Sequence, residues 1–122
     1  MGRAWVSLGA FLCALGVGVA AFGAHGLEGH LDERGLELWD TAGRYLFIGG
    51  FGLCLVGIVA HQRLVRAFDN AGLSLFVGTI VFCGTVAALA LGGPRWLGAV
   101  TPVGGSLMIL GFLLFAWQAS RR

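Results

Sequence analysis

The sequence predicts an all-α polytopic membrane protein: four transmembrane helices, with a short amphipathic helix between the first and second. Three observations lead there. Four apolar blocks, approximately Ala4–Ala24, Tyr45–Ala60, Ala71–Leu91 and Val100–Ala119, contain no charged residue. Most are near the length at which about 20 helical residues cross a roughly 30 Å hydrocarbon core. Charged residues are 11% of the 122 and hydrophobic ones 57%, whereas soluble domains carry about 25% charge. Too little polar chain remains for a second domain, so residues 1–122 are expected to form one transmembrane unit.

Block one opens after Met1-Gly2-Arg3. At this length it exceeds the roughly 7–15 apolar residues of a signal-peptide core. Val6 stands where a myristoylation pattern needs Ser or Thr. The block is therefore expected to be a membrane helix. Small residues recur every fourth position, as Gly16, Ala20 and Ala24 and as Ala10, Ala14 and Gly18. Residues four apart share a helix face, and small ones let a neighbouring backbone approach closely in lipid. Gly84, Ala88 and Gly92 form a similar ladder in block three. The chain holds 22 glycines, and helix packing accounts for them more simply than phosphate-cradling loops do.

The segment His25–Arg44 is the polar part of the chain, with Glu28, Asp32, Glu33, Glu37 and Asp40 against Arg34 and Arg44. Leu36, Trp39, Ala42 and Leu46 fall at helical spacing, and Glu37 and Asp40 lie off that stripe. Asp32 is the expected N-cap of an amphipathic helix that lies at the interface or runs on into block two. Continuation matters because Tyr45–Ala60 alone spans only about 24 Å. His61–Asn70 is a basic connection with Arg63 and Arg66, and Asp69-Asn70 is the expected cap of block three. Gly92-Gly93-Pro94 is expected to stop that block. Thr101-Pro102 is expected to open block four, as hydroxyl cap and first-turn proline. Trp96 and Trp117 are placed as interfacial anchors.

All eight basic residues are arginines, scattered along the chain without a stripe that tracks phosphates, which sets nucleic-acid binding aside. Arg3, Arg63, Arg66, Arg121 and Arg122 fall on one side of a four-span topology, and Arg34, Arg44 and Arg95 on the other. The imbalance favours cytoplasmic N- and C-termini.

Little in the chain points to chemistry. Ionisable groups at the centre of a span cost at least about 2.5–3.5 kcal/mol and usually mark ion or proton paths, and the blocks contain none. Cys13, Cys54 and Cys83 sit singly within apolar blocks, without paired metal-site spacing, and read as small side chains at helix contacts. Ser7 and Ser106 have no activating neighbour. His25, followed by Gly26, reads as a helix C-terminus. The competing reading joins His25, Glu28 and His30 as a metal, haem or proton-handling cluster, although histidines five apart share a helix face poorly. No enzyme activity, cofactor or metal is expected.

Gly23-Ala24-His25-Gly26-Leu27, preceded by Gly18 and Ala21-Phe22, resembles the GAFGAHGL signature of the YgdD/YwdK-like small membrane proteins, a family of unknown function. Thr101-Pro102-Val103-Gly104-Gly105 is similar to that family's TPIGG element, Arg44-Tyr45 to its RYQ segment, and Phe82-Cys83-Gly84-Thr85 to its FSGS segment. Gly49 stands where the family pattern has histidine, and Phe112 at a tryptophan-like position. The resemblance implies a four-span bacterial inner-membrane protein and brings no activity. It singles out His25, Gly23, Gly26, Tyr45, Thr101, Pro102, Gly104 and Gly105 as functional or interface candidates. Two functions are expected to compete. One is a non-catalytic accessory subunit or helix-packing module, partnered by the lipid bilayer and by its own copies or a larger membrane-protein complex. The other is an oligomeric channel or carrier for a small uncharged solute, with Gly49-Gly50 and Gly104-Gly105 unwinding to expose carbonyls.

Overall fold

The computed structural model describes residues 2–25, 29, 31–63 and 68–120. Four helices follow in order: α1 (Gly2–His25), α2 (Glu33–Arg63), α3 (Phe68–Ala90) and α4 (Leu97–Ser120). Each is long and apolar enough to cross a membrane. Consecutive helices pack antiparallel, α1 on α2, α2 on α3 and α3 on α4, while α1 and α4 share no substantial contact. The near side of this array carries the start of α1 and α3 and the end of α2 and α4.

No separate amphipathic helix exists among the described residues. Its residues are the first turns of α2, which runs unbroken for 31 residues, about 46 Å. Asp32 caps it as expected: its Oδ1 accepts the Gly35 N–H at 2.7 Å and its carbonyl the Leu36 N–H at 3.0 Å. Nothing afterwards breaks the helix. No proline follows, and the glycines at 43, 49, 50 and 52 stay helical with a neighbouring helix or side chain against each.

Close packing follows a seven-residue rhythm. Gly9 and Gly16 of α1 face Gly50 and Gly43 of α2, and a Cβ on Gly50 would lie 2.7 Å from the Gly9 carbonyl oxygen. Between them two cysteines interlock. Cys13 covers Gly50 and Cys54 covers Gly9, and their thiols reach the carbonyls of Phe47 at 3.8 Å and Val6 at 3.7 Å. In the second pair, Gly78 of α3 meets Gly104 and Met108 of α4, and Gly111 meets Leu75. The expected ladders are used only in part. Gly16 is buried on Gly43, whereas Ala10, Ala14 and Gly18 are exposed, and Gly18 and Gly84 have no neighbour within 4 Å of a built Cβ.

Trp5 ties α1 to α3 at the near side. Its ring covers Gly72, and its Nε1–H donates to the Asp69 carboxylate at 2.8 Å. Asp69 thus lies inside the first turn of α3 and serves as this acceptor. At the far end of α3, Gly92 takes φ +90°. The Gly93 N–H reaches the Ala88 carbonyl at 2.8 Å and the Gly92 N–H that of Leu89 at 3.1 Å. This is the left-handed glycine stop expected there.

The expected start of block four is corrected. Three i to i−3 bonds, from Leu97, Gly98 and Ala99 to Pro94, Arg95 and Trp96, wind the chain into α4. The helix has begun by Leu97, and Pro102 lies within it. Proline has no N–H for the Gly98 carbonyl, yet the helix continues because later turns are held against α3 at Gly104 and Met108. Trp96 and Trp117 are exposed near the two ends of α4, as interfacial anchors are.

Candidate functional site

The candidates fall into two groups and a remainder. The first group gathers round Phe82 of α3. The Tyr45 ring packs edge-on to Phe82 with centroids 5.0 Å apart. Gly104 sits against the Phe82 backbone, and a Cβ on Gly105 would lie 3.5 Å from its ring. One turn away, Thr85 Oγ1 and Thr101 Oγ1 lie 2.7 Å apart, with the Val81 carbonyl 2.8 Å from Thr85 and the Leu97 carbonyl 3.1 Å from Thr101. The two hydroxyls share two protons among these acceptors, so they clasp α3 to α4. Pro102 is exposed beside them.

The second group is on α1. Gly23 leaves room for the Trp39 indole, whose Cδ1 would lie 2.5 Å from a Cβ there. Trp39 Nε1–H donates to the Val19 carbonyl at 2.7 Å, and its ring tilts against Phe22 at 6.2 Å. The glycine of this motif thus works as an indole seat. His25 is the last residue of α1. Its side chain, Gly26, and the expected cluster partners Glu28 and His30 lie outside the described residues.

Gly49, where the family pattern has histidine, is filled from α3: Thr79 packs directly on it, leaving no room for a Cβ. Thr79 is fully buried, and its hydroxyl has no hydrogen-bond partner among the described residues. Phe112 lies over Gly52, 2.7 Å from a built Cβ, linking α4 to α2.

A charged pair went unrecognised in the sequence. Arg44 Nη2 donates to Asp40 Oδ2 at 2.8 Å, one turn apart on α2, with side chains 65% and 61% exposed. The helix register sets its depth. Gly43 on Gly16 and Gly50 on Gly9 place Arg44 beside Leu15, within about 3 Å along the axis of the midpoint of α1. Thr79 on Gly49 and Phe82 on Tyr45 place it about 10 Å inside the far end of α3. Asp40, beside Val19, is about 9 Å inside the far end of α1. Both charges therefore project outward from α2 at a depth where their neighbours are apolar. The cue was the shortness of block two: lengthened toward its N-terminus to about 20 residues, it draws in Arg44 and begins next to Asp40.

A family described as "Protein of unknown function (DUF423)" matches residues 19–105. The chain belongs to that family. Among DUF423 relatives, a UPF0382 membrane protein of Staphylococcus haemolyticus is 39% identical over 112 residues, covering 92% of this chain and 91% of its own. The UPF0382 membrane protein YwdK of Bacillus subtilis is 34% identical over 118 residues, covering 96% of each. No solved structure matches. The DUF423 match runs from Val19 to Gly105 and so contains the indole seat, the charged pair and the cluster round Phe82. The protein is a multi-pass membrane protein of bacterial kind, with four spans.

Proposed function

We propose that this DUF423 protein is a non-catalytic helix-packing module of the bacterial inner membrane, acting as an accessory subunit of a larger membrane complex or as an oligomer of itself. The use made of polar side chains inside the spans carries this reading. Ser74 Oγ donates to the Leu107 carbonyl at 2.7 Å, Thr85 and Thr101 bond backbone and each other, and Trp39 bonds Val19. Each fastens helix to helix, and none is held toward a reacting partner. Gly49-Gly50 and Gly104-Gly105 remain helical and sit against neighbouring helices, the geometry of close crossing.

We place both termini in the cytoplasm. With Arg44 at membrane depth it no longer counts as a loop arginine, and Arg34 and Arg95 alone oppose the near-side arginines. A cysteine at Glu33 that labels only from the cytoplasmic face would reverse this orientation. The function is tested by native mass spectrometry of the protein released from its own membrane in mild detergent. A stable mass containing a second polypeptide or further copies supports a packing module. A monodisperse monomer with no protein bound would overturn it.

A further inference from the structure

We infer that the face of α1 and α2 bearing Asp40 and Arg44 is the contact surface for a second copy of this chain, in a parallel dimer about an axis along the bilayer normal. The inference rests on the packing-module reading and names its partner and surface. Charged side chains in spans almost always face protein or a water-filled cavity. In one copy, Asp40 and Arg44 face neither: both are more than half exposed, at a depth where only acyl chains would surround them. Beside them runs a groove of about 320 Å³, floored by Gly16, Ala20 and Gly43 and walled by Val17, Phe47 and Ile48. Its small-residue floor admits a neighbouring helix closely.

Charge complementarity selects the occupant. The pair is neutral, with its opposite charges one helical turn apart. A twofold axis along the normal brings the same two charges from the other copy to the same depths. Each Arg44, with donors to spare, then bridges its own Asp40 and the partner's Asp40. An isologous contact of this kind is self-complementary by symmetry. Lipid phosphates are expected at the level of the ends of α1 and α3, above the pair, and acyl chains offer no acceptors.

The test is cross-linking of the full chain in its native membrane. Val17→Cys and Ile48→Cys, both exposed, are each expected to yield a covalent dimer above the wild-type background from the native cysteines. Leu113→Cys, exposed on α4, is expected to yield none. Asp40→Asn or Arg44→Gln, placed in the Ile48→Cys chain, is expected to weaken dimerisation by about 100-fold. The swapped chain D40R/R44D restores the complementary pair and the cross-link. Because a single charge variant can fail to insert, Ala20→Phe provides a second route: Ala20 is exposed, so the monomer keeps its fold while the groove is blocked and the cross-link lost. Dimers linked through Leu113→Cys but not through position 17 or 48 would overturn this surface and leave the packing module standing. Adducts of positions 17 and 48 with a different polypeptide would do the same. Absence of every cross-link together with a protein-free monomer would overturn both.

Discussion

Two glycine-to-alanine substitutions separate helix packing from helix propensity. At Gly50, the added methyl would lie 2.7 Å from the Gly9 carbonyl oxygen and 2.8 Å from both the backbone nitrogen and Sγ of Cys13. Two of those atoms are backbone, so side-chain rotation gives no relief. Restoring ordinary contact near 3.4 Å requires α1 and α2 to part by about 0.7 Å, and a gap of that size forfeits a quarter to a half of each neighbouring contact. At Gly18, within α1, a built Cβ meets nothing within 4 Å. The intrinsic gain from Gly to Ala, about 1 kcal/mol in aqueous hosts, is common to both variants and cancels between them. What remains is overpacking, about 1–3 kcal/mol. Gly50→Ala should therefore be less stable than Gly18→Ala by that amount when both are unfolded in the same detergent by heat or by increasing SDS fraction. Equal stabilities would refute the close α1–α2 register, and with it the depth assigned to Arg44.

Other consequences follow from single contacts. Trp5→Phe keeps most of the ring over Gly72 but leaves the Asp69 carboxylate without its indole donor, and is expected to cost about 1.5–3 kcal/mol; Asp69→Asn in the Trp5→Phe background should recover part of that loss in the same melting assay. Thr79→Val removes a buried hydroxyl without a partner and should raise stability by about 1 kcal/mol, whereas a destabilised variant would mean the hydroxyl is bonded. A double-mutant cycle of Thr85→Val and Thr101→Val should give a coupling of about 1 kcal/mol across α3 and α4; strict additivity would dissolve the clasp.

The four spans were legible because lipid demands an uninterrupted apolar run, and the stop at Gly92 because glycine takes the left-handed conformation there. The Asp32 cap was legible for a similarly local reason, a side-chain oxygen placed to take a first-turn N–H. Neighbour identity was not local. Gly9 and Gly111, which set the helix separations, look in sequence no different from Gly18 and Gly84, where a built Cβ would meet nothing within 4 Å. A helix's own residues show its small faces without showing which one meets a partner. Thr101-Pro102 misled because the hydroxyl and proline of a helix start serve here inside α4, where Thr101 bonds Leu97 and Thr85. At the candidate site, Gly23, Tyr45 and Gly105 were picked out by resemblance, but their roles as indole seat and Phe82 wall needed the register of the helices. The depth of Asp40 and Arg44 likewise needed the register of α2 on α1 and α3, which no single helix carries.

That α2 is one helix carrying Asp40 and Arg44 into the bilayer is tested directly by nitroxide scanning along its exposed and half-buried positions. Spin labels at Glu37, Thr41, Ile48 and Phe51 of the protein in lipid bilayers would be compared for collision with oxygen and with a water-soluble nickel chelate. Chelate access is expected at Glu37, giving way by Thr41 to exclusion of the chelate that persists through Ile48 and Phe51. Strong chelate access at Thr41, falling only at Ile48, would place the charged pair in water and contradict this assignment.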